Sequence, residues 1–401
     1  MKKFTAWDDF SKQIGELGPW LMSQEGVPQD DPQIHSDGYR YLATLLNVGL
    51  DIHLLNADPD RPQWTVTFTN YARYGGDQRD GTYHSTQIDP SGVYRIIGKA
   101  QGGLPATATI QTMSGWWTPG LPNKTVKTQS IFDFDLEPDG SFEMIIGGPS
   151  RSGNYMELTP DITHLMARQY IPDDSRGNLY ALRIDRIDRP LTVPKEYDKP
   201  EALAEKLSNV TGFIKNLALA YLDTSRLAIS MPNALEPLPD DLKADLGASQ
   251  ENEYYIGSWN LSEDEVLLIE IVPTEAAYWS VAAHNFWFQG LEHSSIPVQI
   301  NNQDVVTDTD GKVRIIVSEL DPGYANWIAT GGLRIGVLAA RWNFKKGNEK
   351  IETRTVKIEA LDTFMLPDSL KLSAKEREQQ LYHQDENPHP LSSLRITVVH
   401  Q

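Results

Sequence analysis

Cysteine is absent from this chain of 401 residues. Disulfides, thiolate nucleophiles, zinc–thiolate sites and iron–sulfur clusters are therefore excluded. No apolar run approaches the roughly 18 residues of a membrane-spanning helix, and the opening MKKFTAWDDFSKQIGEL contains no apolar stretch of signal-peptide length. These absences predict a cytoplasmic protein that does not bind a membrane.

Basic residues are also few, because 36 Lys and Arg stand against 55 Asp and Glu and leave a net charge of −19. A field of that sign repels phosphates, and no cluster of Lys and Arg interrupts it, so we expect no nucleic-acid binding. The chain has no His-x-His pair, which a cupin-like metal site on a β-fold would require. We therefore predict neither a metal nor another cofactor.

The length favours two domains, and the change of hydrophobic period along the chain places them. We predict a helical N-terminal segment over 1–56 and a first antiparallel β-sandwich over 57–192. A helical linker over 193–254 and a second, jelly-roll-like β-domain over 255–350 follow. A tail over 351–401 completes the chain, with a capped helix starting at Ser373 and a closing strand LRITVV. The fold class is thus mainly β.

Several motifs resemble a known family. In the second β-block they are Tyr278-Trp279, His284-Asn285-Phe286-Trp287, Asp310-Gly311, Asp321-Pro322-Gly323, Asn326-Trp327 and Arg341-Trp342. In the first half they are Tyr39-Arg40-Tyr41-Leu42, Asp58-Pro59-Asp60-Arg61-Pro62, Gly76-Asp77 and Asp139-Gly140-Ser141-Phe142.

These motifs resemble the bacterial domain-of-unknown-function family numbered twelve-fourteen, with its usual N-terminal partner region. The resemblance implies paired jelly-roll-like domains joined by helices, and it implies no particular reaction. The chain departs from the expected pattern at Gln78-Arg79, after Gly-Asp, and at Gly331-Gly332, after Trp327.

The aromatic-rich stretch 267–342 is where we expect a site, because apolar walls with a few polar groups are typical of ligand pockets. A regular strand over 278–288 would place His284 among aromatic rings, where desolvation favours a neutral base. We predict catalytic roles for His284, Asp321 and Arg334. The predicted ligand-binding residues are Trp279, Asn285, Trp287, Asn326 and Trp327.

The same residues suit a packed β-core, in which His284 merely hydrogen-bonds a neighbouring strand. Arg334 and Arg341 differ by an odd number, so only one of them would reach an interior. Asp77, Asp80, Tyr83 and Arg168 form a second polar set in the first block, where Asp and Gly usually indicate a turn.

Three functions remain open at this stage. The leading hypothesis is metal-independent binding or processing of a small molecule, a sugar or a hydrophobic natural product, in the aromatic pocket. The second is a non-catalytic jelly-roll module that forms a homo-oligomer. The third is a carbohydrate-active hydrolase or lyase, for which Glu270, Glu275, Glu292 and Asp321 could supply a carboxylate pair.

Overall fold

The structure is a computed structural model, and it describes residues 5–68, 72–121, 123–172, 178–190, 199–292 and 296–386. The closing strand predicted from LRITVV lies outside the described residues.

Three long helices precede or separate the β-strands: α1 (Ala6–Met22), α2 (Pro32–Leu50) and α3 (Pro200–Ile229). The carboxylate of Asp31 accepts hydrogen bonds from the backbone N–H groups of Gln33 and Ile34, and Pro32 occupies the first turn, so α2 begins with a strong cap. The helix continues as a π-helix over Asp51–Leu55. Helices are therefore present in both regions predicted to be helical, 1–56 and 193–254.

The strands of the first half form two sheets, which we call unit 1. They are β1 (Thr65–Val66), β2 (Gly81–Gln87), β3 (Tyr94–Gln101), β4 (Thr107–Ser114), β5 (Lys124–Ser130), β6 (Phe142–Ile146), β7 (Tyr155–Met156), β8 (Ile162–Tyr170) and β9 (Leu179–Arg186). One sheet has the order β1-β2-β8-β4-β5 and the other β7-β6-β3-β9.

The strands after α3 form unit 2. They are β10 (Ala234–Pro237), β11 (Asn252–Asn260), β12 (Glu265–Val272), β13 (Tyr278–His284), β14 (Gln299–Asn301), β15 (Val313–Ser318), β16 (Trp327–Ala329), β17 (Ile335–Asn343) and β18 (Lys350–Lys357). Its sheets have the orders β10-β11-β17-β13-β14 and β16-β15-β12-β18. Short helix α4 (Asp240–Asp245) lies between β10 and β11, and α5 (Ala374–Glu386) follows β18.

Unit 2 repeats unit 1 strand by strand. Adding nine to each strand number of unit 1 reproduces both sheet orders of unit 2. The repetition includes the one parallel contact in each four-stranded sheet, β6 with β7 and β15 with β16. Each unit also follows a long helix, α2 or α3. The fold is therefore an internal duplication, which the sequence did not reveal because the two halves share no recognisable repeat.

Successive side chains along a strand point to opposite faces of the sheet and lie in two different cores. In β17, Leu338 and Ala340 point into the core between the sheets of unit 2, whereas Val337 and Ala339 point to the opposite face. That opposite face, its counterpart in unit 1 and helices α1 to α3 share a third, central core. The two five-stranded sheets meet there, and the rings of Tyr170 and Tyr278 stack across them at 4.6 Å.

The mainly β class is confirmed, while the jelly-roll assignment stays a prediction. Three expectations need correction. The sheets are mixed, since two short pairings are parallel. The linker predicted over 193–254 includes strand β10, which pairs with β11. Residues 351–357, predicted as part of the tail, belong to β18, whose outer face is exposed and charged and so hides the strand pattern.

The helix expected at Ser373 is confirmed together with its capping box. The Glu376 carboxylate accepts from the Ser373 backbone N–H at 2.7 Å, and the Ser373 hydroxyl accepts from the Glu376 N–H at 3.3 Å.

Candidate functional site

Trp279 and Trp287 are packed into cores. Trp279 lies between the sheets of unit 2 and stacks on Trp342, with ring centroids 5.7 Å apart. Trp287 stacks on Tyr41 of α2 at 5.9 Å, and its indole N–H donates to the Ile34 carbonyl at 2.7 Å. Both contacts satisfy the rings internally, as in an ordinary β-core.

Asn285, Asn326 and Trp327 organise loops. The Asn285 side-chain oxygen accepts from the N–H groups of Trp287 and Gln289, which closes the turn after β13. The Asn326 side chain bonds both the N–H and the carbonyl of Val306. The Trp327 indole N–H donates to the Ser318 carbonyl at 3.2 Å. These are local structural contacts.

Asp321 and Arg334 do not meet. Asp321 forms an ion pair with Arg377 of α5, at 2.9 Å from its Nε. Arg334 is exposed and donates to the Asn260 side chain at 3.0 Å. Arg341, the alternative that its odd spacing from Arg334 suggested, is the arginine that reaches the interior, with 7% of its surface exposed.

His284 is completely buried at the end of β13. Its Nε2 lies 2.9 Å from the Asp77 carbonyl oxygen, which ties the turn before β2 to unit 2. Burial lowers the pKa of His284 to about 4, so the imidazole is neutral over the ordinary pH range. The ring is closed off from solvent, and the structure does not bring it together with Asp321 or Arg334.

The carboxylates considered for a glycosidase are each held by a cation. Glu270 pairs with Arg314 and Arg354, Glu275 with Lys346, and Glu292 with Arg73. A pair of free carboxylates facing one space does not arise from these four residues. Within the described ranges, His, Asp and Glu side chains form no cluster of three or more able to hold a metal ion.

A different place collects polar groups inside the molecule. A cavity of about 90 Å³ lies in the central core, between the facing five-stranded sheets, α3 and the two connections that lead into β2 and β11. Aromatic rings provide much of its wall, and among the described residues that line it three are charged: Asp77, Arg168 and Arg341. The aromatic lining consists of Phe68, Tyr83, Trp116, Tyr221, Tyr254, Tyr255 and Phe288.

The duplication explains the two arginines. In unit 1, Tyr83 of β2 is the cross-strand partner of Arg168 of β8. In unit 2, Tyr254 of β11 is the partner of Arg341 of β17, and these strands are the counterparts of β2 and β8. In each pair the guanidinium lies over the tyrosine ring, 5.7 Å from its centroid. The cavity is thus bounded by two equivalent Tyr–Arg pairs, one from each unit.

The two arginines affect the pKa values of the nearby tyrosine hydroxyls. The Tyr83 and Tyr170 hydroxyls are hydrogen-bonded at 2.8 Å, and Arg341 donates to Tyr83 at 3.2 Å. Burial acts to raise the pKa of Tyr170, but the guanidiniums of Arg341 and Arg168 outweigh it and leave that pKa below its ordinary value. For Tyr83, which lines the cavity, burial and the neighbouring Tyr170 outweigh the same guanidiniums and raise the pKa.

Asp77 is the one acidic side chain of the wall. Burial raises its pKa to about 6, against the opposing effect of the Gly290 N–H, which donates to it at 2.8 Å. A carboxyl whose pKa lies within the working range is a feature of functional sites as well as of buried networks.

Asp80 anchors the same turn without lining the cavity. Its carboxylate accepts from the Tyr278 hydroxyl at 2.9 Å, the Gln299 amide at 2.6 Å and the Asn301 amide at 2.8 Å. Its other oxygen lies 3.2 Å from Arg79 Nε. These polar side chains of unit 2 therefore hold the turn of unit 1 in place, and the fixed turn positions Asp77.

Residues 265–338 match the model of the family described as "Protein of unknown function (DUF1214)". The resemblance inferred from the motifs is thereby confirmed for the C-terminal region. No curated protein matches the chain.

Solved structures extend the comparison to most of the chain. An uncharacterized protein from Burkholderia cenocepacia is 27% identical, with a TM-score of 0.82 over 88% of this chain and 97% of its own. The VPA0106 protein from Vibrio parahaemolyticus is 12% identical, with a TM-score of 0.47 over 80% of this chain and 98% of its own. The Burkholderia protein shares the overall fold. None of the helices in the described ranges is both long and apolar enough to cross a membrane.

Part of the cavity was visible in the sequence. The sequence pattern groups Asp77, Tyr83 and Arg168 in one polar set, which by itself indicates a turn. The partner pair, Tyr254 and Arg341, was missed because nothing in the sequence indicates that β11 and β17 repeat β2 and β8. Aligning β2 with β11 and β8 with β17 is the comparison that would have identified this second pair.

Proposed function

We propose that this protein binds a small organic molecule in the central cavity between its two units. The observation that carries the proposal is the convergence of a few polar side chains on an aromatic-lined space, which is the usual composition of a ligand site. Among the residues singled out in the second β-domain, the tryptophans, His284 and Asn326 have packing or loop contacts, while Asn285 and Arg334 line a separate pocket beside α2 and the end of α3. The ligand thus belongs at the interface of the units rather than within unit 2.

The volume of the cavity limits the size of the ligand. A cavity of roughly 150 Å³ lined by apolar side chains accommodates benzene. At about 90 Å³, the central cavity holds a small acid or alcohol as it stands, and a single six-membered ring after small movements of its walls. Steroids, terpenoids and disaccharides are too large. The sugar or hydrophobic natural product expected from the sequence is therefore replaced by a molecule of one ring or less.

Filling the cavity tests this proposal. Ala339 of β17 lines it, and Ala339→Leu adds three carbon atoms to its wall. We expect phenol, benzoate, benzamide or butyrate to raise the melting temperature of the wild type, because a ligand at a hundred times its Kd adds about 2.7 kcal/mol of stability. The same compound should have little effect on Ala339→Leu.

Trp327→Phe provides the matched control, since Trp327 belongs to the site predicted from the sequence and does not line the cavity. Protection should persist in this variant. Protection that survives Ala339→Leu and disappears in Trp327→Phe would place the ligand in unit 2 and refute the proposal.

A further inference from the structure

The buried arginines of this protein fall into two groups. Six arginines in the described ranges are less than 10% exposed, and four of them form ion pairs with carboxylates: Arg79, Arg186, Arg314 and Arg377. The other two are Arg168 and Arg341, the arginines of the cavity. Because a buried cation without a counter-ion is costly, and because Asp77 is the single carboxyl among the described residues of the cavity wall, the contrast indicates that the described residues do not fully neutralise these two charges.

The contacts of these two guanidiniums are with neutral groups. Arg168 donates to the Gly247 carbonyl at 3.2 Å, and its Nε lies 3.0 Å from the Met166 sulfur. Arg341 donates to the Gly76 carbonyl at 2.6 Å and to the Tyr83 hydroxyl. Each guanidinium has five N–H donors, so these contacts leave capacity for the oxygens of a ligand.

The two positive charges are close enough to act on one group. Tyr83 contacts both, since its ring lies beneath Arg168 and its hydroxyl lies 3.2 Å from Arg341. Against these two charges the cavity wall carries one carboxyl, that of Asp77. With Asp77 ionised, the wall has one net positive charge, which a single anionic group neutralises. A monoanion therefore fits better than a dianion or a neutral molecule.

Resting on the proposed function, we propose that the ligand is a small organic monoacid whose carboxylate binds between Arg168 and Arg341. The planar guanidinium suits a carboxylate, and charge-assisted hydrogen bonds of this kind are the strong ones. The remainder of the molecule lies against the rings of Tyr221 and Phe288, which are 5.9 Å apart and line the same space.

Benzoate and benzamide test the proposal, because they share ring and shape and differ in charge. We expect calorimetry to show benzoate binding at least ten-fold more tightly than benzamide, about the value of one charge-assisted hydrogen bond. Arg168→Met and Arg341→Met should each remove that preference while leaving the weak binding of benzamide within about three-fold. Phthalate, a dianion, should bind more weakly than benzoate.

Stability of the ligand-free variants supplies a second readout. Arg168→Met removes a charge that lacks a carboxylate partner, so its melting temperature should equal or exceed that of the wild type. Arg79→Met, the matched control, breaks ion pairs with Asp80 and Asp304 and should lower it. If Arg168→Met is insoluble, Arg168→Lys keeps the charge and should retain part of the preference for benzoate.

The outcomes separate the two proposals. If benzoate and benzamide bind with equal affinity and Ala339→Leu abolishes the binding of both, the inference that the ligand is an acid is overturned, while the cavity remains the site. Binding of neither compound to the wild type would overturn both. A preference for benzoate that survives both arginine variants and is lost in Arg334→Met would place an acid site on the surface and also overturn the inference.

Discussion

The two units have the same strand order and the same Tyr–Arg pair, but they close the central cavity differently. The connection into β2 of unit 1 is a polar turn carrying Asp77 and Asp80. The connection into β11 of unit 2 contains α4 and then Gly247 and Ala248 at the corresponding place. Duplication thus accounts for the matched arginines, whereas later divergence of one connection accounts for the single carboxyl beside them.

The two residues that immediately precede β2 and β11 show how far the connections differ. Asp80 precedes β2 and is 3% exposed, with three side-chain donors from unit 2. Glu251 holds the same place before β11 and accepts from the nearby Ser249 hydroxyl at 2.8 Å. Only the acidic residue of unit 1 therefore ties the units together.

The largest expected effect is that of Asp80→Ala. It removes an acceptor of the Tyr278 hydroxyl and of two buried amides and leaves Arg79 paired with Asp304 alone, which should reduce the free energy of unfolding by about 3–5 kcal/mol. Glu251→Ala at the equivalent place should cost less than about 1 kcal/mol. Urea denaturation of both variants measures the difference, and similar losses would show that the two connections are equivalent.

A second difference concerns one buried histidine in each unit. His164 is the third residue of β8, and its counterpart in β17 is Val337. In unit 2 the histidine is His284, the cross-strand partner of Val337, while the cross-strand partner of His164 is Met113. Burial lowers the pKa of both histidines, that of His284 to about 4.

His164→Val and His284→Met give each unit the residue of the other, and both should weaken the dependence of stability on pH. A buried neutral histidine binds a proton only on unfolding, so it destabilises the fold as pH falls below its unfolded pKa of roughly 6.5. Each substitution should reduce the slope of unfolding free energy against pH by about 1.4 kcal/mol per unit between pH 4.5 and 6. Unchanged slopes would mean that these rings become protonated in the folded protein.

The smallest expected effect distinguishes the two tyrosines of the cavity. The Tyr83 hydroxyl bonds to Tyr170 and Arg341, whereas the Tyr254 hydroxyl accepts from the Asn252 amide at 2.7 Å. Tyr83→Phe should cost about 1–3 kcal/mol, because it removes an acceptor of a buried charge, and Tyr254→Phe about 1 kcal/mol. Thermal unfolding compares the two, and a larger loss for Tyr254→Phe would contradict this ranking.

Local patterns were sufficient for the long helices of this fold and for the side-chain faces of its clearest strands. The alternation predicted over 278–288 correctly separated Trp279 and Val281 from Tyr278 and His284, but it failed beyond His284, where β13 ends and a turn begins. The capping box at Ser373 marked the start of α5. The polar outer face of β18 masked its strand character, since edge strands carry charge that resembles a loop.

The candidate site could not be found in the same way. A local pattern shows which face of a sheet a side chain lies on, but it does not show what packs against that face. Trp279 and Arg341 belong to neighbouring strands of one sheet, yet Trp279 enters the core of unit 2 and Arg341 the cavity. An aromatic-rich stretch therefore predicted a pocket where the rings only fill the space between sheets. The polar set around Asp77 looked like a turn because its acceptors and donors come from residues about 200 positions away in the chain.

The sequence by itself determined that the protein is acidic, cysteine-free and mainly β, because composition and hydrophobic period depend only on neighbouring residues. It also determined the helices before each unit and most of the strand faces. Only the tertiary structure decided that unit 2 repeats unit 1 and that Arg168 and Arg341 face one cavity. Those relations depend on strand order and on the packing of two distant sheets, which no local pattern records.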